Sequence, residues 1–502
     1  MSINLRPALA GACALALSVA IAGPAGAVPV STGPSTTVSP YLLPTTDAAS
    51  ITSLLTVDDQ NRPVKSVDMV GIPDGLGAFA KDGNVVAYMN HELGGSAGAV
   101  RAHGERGAFV SRNVIEPTTG RVLSTTDLIQ DVAYYDYSSG SYAAAPPDTF
   151  TAAFNRFCSA SLTDPGVLAG PGRSQYGYDG QVYFGNEESG ESGRAFGITD
   201  DGLATQLPRL GLFSWENTLV ADTGNRATVA IGTEDSANGQ LRIYVGKKEK
   251  TGSAMTRAGL TTGTLHVLDL ADQRISADFE YRRAFGKGTA VPAQANKVEW
   301  NASGPVQNTE AATKGITLTR IEDGAFDPNN RNDFYFLTTQ GGDTTVPAGS
   351  PTRDGGGLWR LRFENVKDPS AGMTLELLLD GSEAPLLNKP DNMDIDTQGH
   401  LLIQEDPGNN AHLARILAYD IASQQIKTLA QFDPARFAPG ATGYPKTIDE
   451  ESSGIIDVAE LMGPGTFLLD AQVHTNVGLS DVPRQVEHGQ LLKMTVDWDS
   501  IF

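Results

Sequence analysis

Six times along this chain an apolar run ends in oxygen-bearing or other polar side chains. Residues 182–200, VYFGNEESGESGRAFGITD, show the pattern: an apolar run at 182–184, then Asn186, Glu187 and Glu188, a glycine-rich turn and a second apolar run. Asn90 and Glu92, Glu234 and Asp235, and Glu405 and Asp406 stand at comparable places. Like charges at close range raise one another's pKa or push the groups apart, so carboxylates gathered at one place require cations. Oxygen donors in such density suit calcium or another hard cation. The plain alternative is that each acid caps its own turn and stays solvated.

Other residues offer further chemistry. In NHEL (90–93), strand alternation points Asn90 and Glu92 the same way and leaves His91 to pack behind them. Glu216 in GLFSWENTLV lies between Trp215 and an apolar strand; among bulky neighbours a carboxylate is paired or protonated, and the alternative is a surface Glu beside a half-buried Trp. Arg320 and Glu322 in TRIEDGAFDP share one face of an extended segment, as a phosphate fork beside a metal ligand or as a plain surface ion pair. Cys158 is either a buried inert thiol or a thiolate bound to a transition metal.

Two motifs read as chance. DIDTQGHLLIQE (394–405) approaches a calcium loop, but Gln398 stands in the third ligand place and no helices flank it, so a hairpin turn at Gln398-Gly399 is the better reading. GGSAG (94–98) fits a nucleophile elbow around Ser96, but that motif has meaning only between a strand and a helix of an α/β sheet.

What positions these residues is a repeat. Strand pairs start at residues 84, 181, 227, 333, 399 and 465; each run has four to nine residues rich in Val, Ile, Leu, Phe and Tyr, bounded by Gly, Asp or Asn. Helical periodicity is confined to short pieces near 159–168 and 457–462. Repeated antiparallel pairs predict an all-β, six-bladed β-propeller, whose inner strands converge at one mouth. Asn90, Glu92, Glu187, Glu188, Glu234, Asp235, Glu405 and Asp406 are expected to face that one cavity although they lie far apart in the chain.

The bulk numbers narrow the class. The chain has 502 residues, 55 Gly and a net charge of −22. Residues 1–27 carry Arg6, an apolar stretch and Ala25-Gly26-Ala27, which predicts a cleaved secretion signal and a propeller domain over 28–502. No second arginine stands beside Arg6, and Cys13 lacks a lipoprotein box. Loss of the leader removes one Arg and no acid, which takes the charge to −23. That acidity argues against nucleic acid and anionic membranes as partners. No later run is long and apolar enough to span a bilayer. The expectation is an exported monomer, secreted or periplasmic. Only Cys158 is left after cleavage, so an intrachain disulfide is ruled out.

The order of NHE, a Cys segment, a strand ending in EE, a GxFSxE stretch, RxEDG and a late ESSG resembles PhoX-type alkaline phosphatases over most of residues 68–490. The resemblance implies an exported six-bladed propeller with iron and calcium that hydrolyses phosphate esters. It implies that Asn90 and Arg320 hold phosphate, and that Cys158, Glu188, Glu216, Glu322 and Glu451 hold metals. The chain departs from the family pattern at Asn186, which replaces the cysteine of CEE, and at Trp215, which replaces a histidine. SQYGYDG stands where the family has TPWGT, and the twin-arginine leader is missing. Two other readings of the residues are a phytase-like or lactonase-like calcium-dependent propeller hydrolase and a non-catalytic binding propeller with structural calcium.

Overall fold

The computed structural model describes residues 30–502 except 148, 174, 409–410 and 442–446, so the leader expected at 1–27 lies outside the described residues. Among the described residues the strands form the six blades of a β-propeller. The innermost strands, in ring order, are Pro73–Lys81, Ser161–Leu162, Trp215–Val220, Ile321–Asp327, Pro390–Ile395 and Glu450–Asp457. Each packs beside the next, and the last returns to the first.

The six repeated apolar runs are the second strand of each blade, one step out from the axis, and not the innermost strand as their repetition suggested. They are Asn84–His91, Tyr183–Asn186, Ala227–Glu234, Asn330–Thr338, His400–Glu405 and Thr466–Val473. Their apolar continuity has a physical cause: a second strand is covered by a blade on each face, so both sets of alternating side chains are buried, and Thr466–Val473 is buried at every residue. Six separate apolar clusters fill the six gaps between neighbouring blades. The gap between the last blade and the first, for example, holds Leu54, Leu55, Leu468 and Leu491 against Leu76, Val85 and Ile115.

Three departures from simple repetition bind the ring together. Ala49–Thr56, from the N-terminal part of the chain, is an outer strand of the sixth blade, antiparallel to His488–Val496 with Thr56 opposite Gln490. Leu42–Pro44 adds an edge to the fifth blade. Val291–Val298 pairs with Thr264–Leu270 on one side and Met373–Leu379 on the other, fusing the third and fourth blades into one nine-stranded sheet.

One of the two helix expectations changes. Ala459–Met462 is one helical turn, but 159–168 is not helical; it holds the two-residue inner strand of the second blade. The longest helix described is Gly304–Lys314, which starts with Pro305 in its first turn after Ser303 and packs against Thr264–Leu270 and Val291–Val298.

Candidate active site at the propeller mouth

In five blades the residue that opens the inner strand pairs with the residue at the end of the second strand, and in the second blade an isolated bridge four residues before Ser161 takes that place. The pairs are Pro73 with His91, Phe157 with Glu187, Trp215 with Glu234, Ile321 with Thr338, Pro390 with Glu405, and Glu450 with Val473. The next residue on each inner segment is Asp74, Cys158, Glu216, Glu322, Asp391 and Glu451. Every blade thus delivers one carboxylate or thiol at the same level, and all six are buried. In four blades the ladder slips directly afterwards, between Pro73 and Leu76, Trp215 and Thr218, Ile321 and Gly324, and Pro390 and Met393; in the sixth it slips three residues further on, between Ser453 and Ile455. Bulges re-aim side chains, and here they recur beside the acids.

A second tier follows the second strands: Glu92, Glu188, Asp235, Thr339, Asp406 and His474. Thr339 donates its hydroxyl to Glu322, and His474 lies 3.5 Å from Glu451 and 2.9 Å from Glu487. The acid one residue earlier turns the other way along the strand and is spent on an arginine of the third strand. Glu187 receives Arg194 at 2.6 Å, Glu234 receives Arg242 at 2.8 Å and Glu405 receives Arg415 at 2.6 Å. Of the eight residues expected at the mouth, Glu187, Glu234 and Glu405 are therefore structural counter-ions. The two-residue strand period separates the pairs.

Three groups bring ligand atoms within 4.8 Å of one another: Asp74, Glu92 and Cys158; Cys158, Glu188 and Glu216; and Glu216, Glu322 and Asp391. Glu451 joins through Gln472, whose Nε2 stands 3.2 Å from Asp74 Oδ2 and 3.4 Å from Glu451 Oε1. The groups share members, so they form one continuous arc. Gly75 permits the close approach of the first two blades, since a Cβ there would sit 2.1 Å from Ala160 N.

The electrostatics follow from burial and from the crowding of like charges. Burial, and then Glu451 and Glu92, raise the Asp74 pKa well above the usual range. Burial raises Glu216 to about 8, with Asp235 adding to it, and raises Asp406 to about 7, with Glu451 adding to it. Glu188, Glu322 and Asp391 are pushed up by burial and by neighbouring acids. Burial also pushes up the Cys158 thiol, which donates to Asp74 Oδ2 at 3.4 Å. Asp391 Oδ1 is buried with no hydrogen-bond partner. An orphan carboxylate oxygen beside four further acids is a site built for a positive charge.

Comparison with known proteins now bears on this geometry. Residues 199–435 match the family model described as alkaline phosphatase PhoX. The solved Pseudomonas fluorescens PhoX, in complex with vanadate as a transition-state analogue, superposes with a TM-score of 0.59 at 12% identity, over 93% of this chain and 97% of that one. At that identity the likeness is one of fold: a PhoX-like propeller. The GH43_1 enzyme from Xanthomonas citri complexed with xylose gives a TM-score of 0.32 at 10% identity over 85% and 87%. The Synechocystis apocarotenoid oxygenase gives 0.30 at 10% over 79% and 68%. No curated protein matches the chain in sequence.

The PhoX-type residues carried over by motif fall as follows. Cys158, Glu188, Glu216, Glu322 and Glu451 all lie on the ring or its second tier. Arg320 stands over it: Nε and Nη2 grip Asp235 at 2.7 and 2.8 Å, and Nη2 is 3.3 Å from Glu322. Asn90 lies beneath, fully buried, with its amide spent on the Cys158 carbonyl at 2.7 Å and on the Tyr183 hydroxyl at 2.9 Å. His91 turns away, as alternation requires, and stacks on Phe109. Ser96 sits in a loop between two strands, and Asp396 caps a hairpin turn by accepting from Gln398 N at 2.9 Å.

Sequence reading missed Asp74 and Asp391. A signal exists: IPDG, SWEN, RIED and KPDN all set an acid after one bulky or imino residue and before Gly, Asn or Asp. It was hidden because the repeat was followed along the second strands, while these acids open the irregular inner ones.

Proposed function

We propose that this chain is an exported, metal-dependent phosphatase that hydrolyses phosphate esters at the propeller mouth. The observation that carries the reading is the ring of six ligand-type side chains, one from each blade, with Arg320 poised above it. The PhoX family match and the PhoX-like fold support it independently. The reading includes a cleaved leader at 1–27, one propeller domain over 28–502, a secreted or periplasmic location and a monomeric state.

The residues fit resident cations. Glu216, Glu322 and Asp391 offer an all-oxygen set with one oxygen still unpartnered, which suits calcium. Cys158 belongs to both other groups, and a thiolate among carboxylates suits iron. When bound, such cations neutralise phosphate oxygens and supply an activated water. The chain's own residues position and balance. Arg320 presents a planar fork that can take two phosphate oxygens and offset the charge that builds on them. Ser159 donates its N–H to Glu216 at 3.2 Å and its hydroxyl to the same oxygen, which fixes that carboxylate. Asn392 donates to Ser159 Oγ at 2.7 Å and lies 3.1 Å from Asp74 Oδ1, tying the second blade to the first. In hydrolysis the P–O ester bond breaks, water oxygen joins phosphorus, and the alcohol leaves with a proton.

Elemental analysis of protein purified without chelator, with a phosphomonoester assay on the same sample, tests the reading. Calcium and iron with turnover support it. Protein that keeps calcium but turns over no phosphate ester would mark a binding propeller instead.

A further inference from the structure

Two residues before four of the six ring positions, a second feature repeats. Ile72, Arg156, Arg320 and Lys389 all have positive φ, at 51°, 49°, 54° and 50°. Such backbone costs conformational energy for a residue with a Cβ and clusters where function demands it. Three of the four are basic. Arg320 reaches back to the second tier of the preceding blade, at Asp235, and to an acid of its own blade, at Glu322. Arg156 does the same two blades earlier: Nε donates to Glu92 of the preceding blade at 2.7 Å, and Nη2 lies 2.5 Å from Glu188 of its own. The two guanidinium groups flank Glu216, because Glu188 and Glu322 each belong to a ligand group that contains it. The Arg156 side chain is 47% exposed while its two acids are 9% exposed, so it caps the buried arc from the solvent side.

We infer that Arg156 is a second substrate-binding residue, which takes phosphate oxygens on the side of Glu216 opposite Arg320. The inference rests on the phosphatase reading. Cations on Glu92 and Glu188 would satisfy the charge that Arg156 now balances. Its fork would then be free for an anion, while its left-handed backbone and its place in the ring stay fixed. A merely structural counter-ion would instead be needed for the carboxylates to stay in place.

The test uses the full mature chain with metals retained. Wild type, Arg156→Ala, Arg156→Lys and Arg320→Ala are compared for kcat and KM on p-nitrophenyl phosphate, for inorganic phosphate binding by calorimetry, and for metal content and Tm. Loss of a charged, bidentate contact raises KM and the phosphate Kd by about tenfold or more in Arg156→Ala. Metal content and Tm stay at the wild-type level, and Arg156→Lys recovers part of the binding because it keeps charge without the fork. An active wild type whose Arg156→Ala form keeps KM and phosphate Kd, or loses metal and Tm in place of phosphate affinity, overturns the inference alone. A wild type that neither binds phosphate nor turns over ester overturns the phosphatase reading, and the inference goes with it.

Discussion

Glu216 is the carboxylate on which the centre converges. It shares one group with Cys158 and Glu188 and another with Glu322 and Asp391, and Ser159 holds it in place. Glu216→Gln keeps the shape but removes a charge, so metal retained through dialysis is expected to fall, and turnover with it; retention of full metal would detach Glu216 from the centre. Arg320→Ala is expected to lower kcat about 10²–10³-fold with metal content intact, the range for removing one preorganised charge-stabilising donor. Asn90 acts one layer down. Asn90→Ala leaves the Cys158 carbonyl without its donor, a cost of about 1–3 kcal/mol in a chemical-denaturation experiment. Metal affinity should weaken about 10- to 100-fold, as for other groups that orient a ligand. The residue types were legible where a local motif framed them, as with Arg320 and Glu322 or with Glu451. Asp74 and Asp391 were not, because nothing within ten residues of either shows that five other blades aim at the same point.

The second strands were legible because burial on both faces writes itself into composition. The inner strands were not: Ser161–Leu162 has two residues, and five of the six carry a slipped register that breaks period-two reading. The same period explains why one acid of each Glu-Glu or Glu-Asp pair serves the site and the other the scaffold. Arg194→Met strands Glu187, which is buried at the end of its strand. It is expected to cost about 3–5 kcal/mol by urea unfolding while metal content per folded molecule stays unchanged. A loss of metal without a loss of stability would place Glu187 at the mouth after all.

At the scale of the molecule, closure and acidity pull against each other. Glu216, at about 8, and Asp394, also raised to about 8 mainly by burial, have folded-state pKa values above those of an unfolded chain. Groups shifted in that direction contribute stability below about pH 4, and that contribution is lost as pH rises through about 8. Chelator-treated protein should therefore melt at progressively lower temperature from pH 5 to pH 9. Calcium should raise Tm more at pH 9 than at pH 5. A metal-free Tm that climbs over this range would contradict the burial pattern of these acids.

The outer strand Ala49–Thr56 and the strand Val291–Val298 shared by two blades make the ring hard to open. Since every blade donates one ring ligand at the same height, the number of ring donors is tied to the number of blades. A shortened chain lacking one sheet would lose a donor and narrow the circle at the same stroke. A chain with a duplicated sheet would gain a donor and spread the others apart. Ion stoichiometry and circumference are, in this architecture, a single inherited quantity.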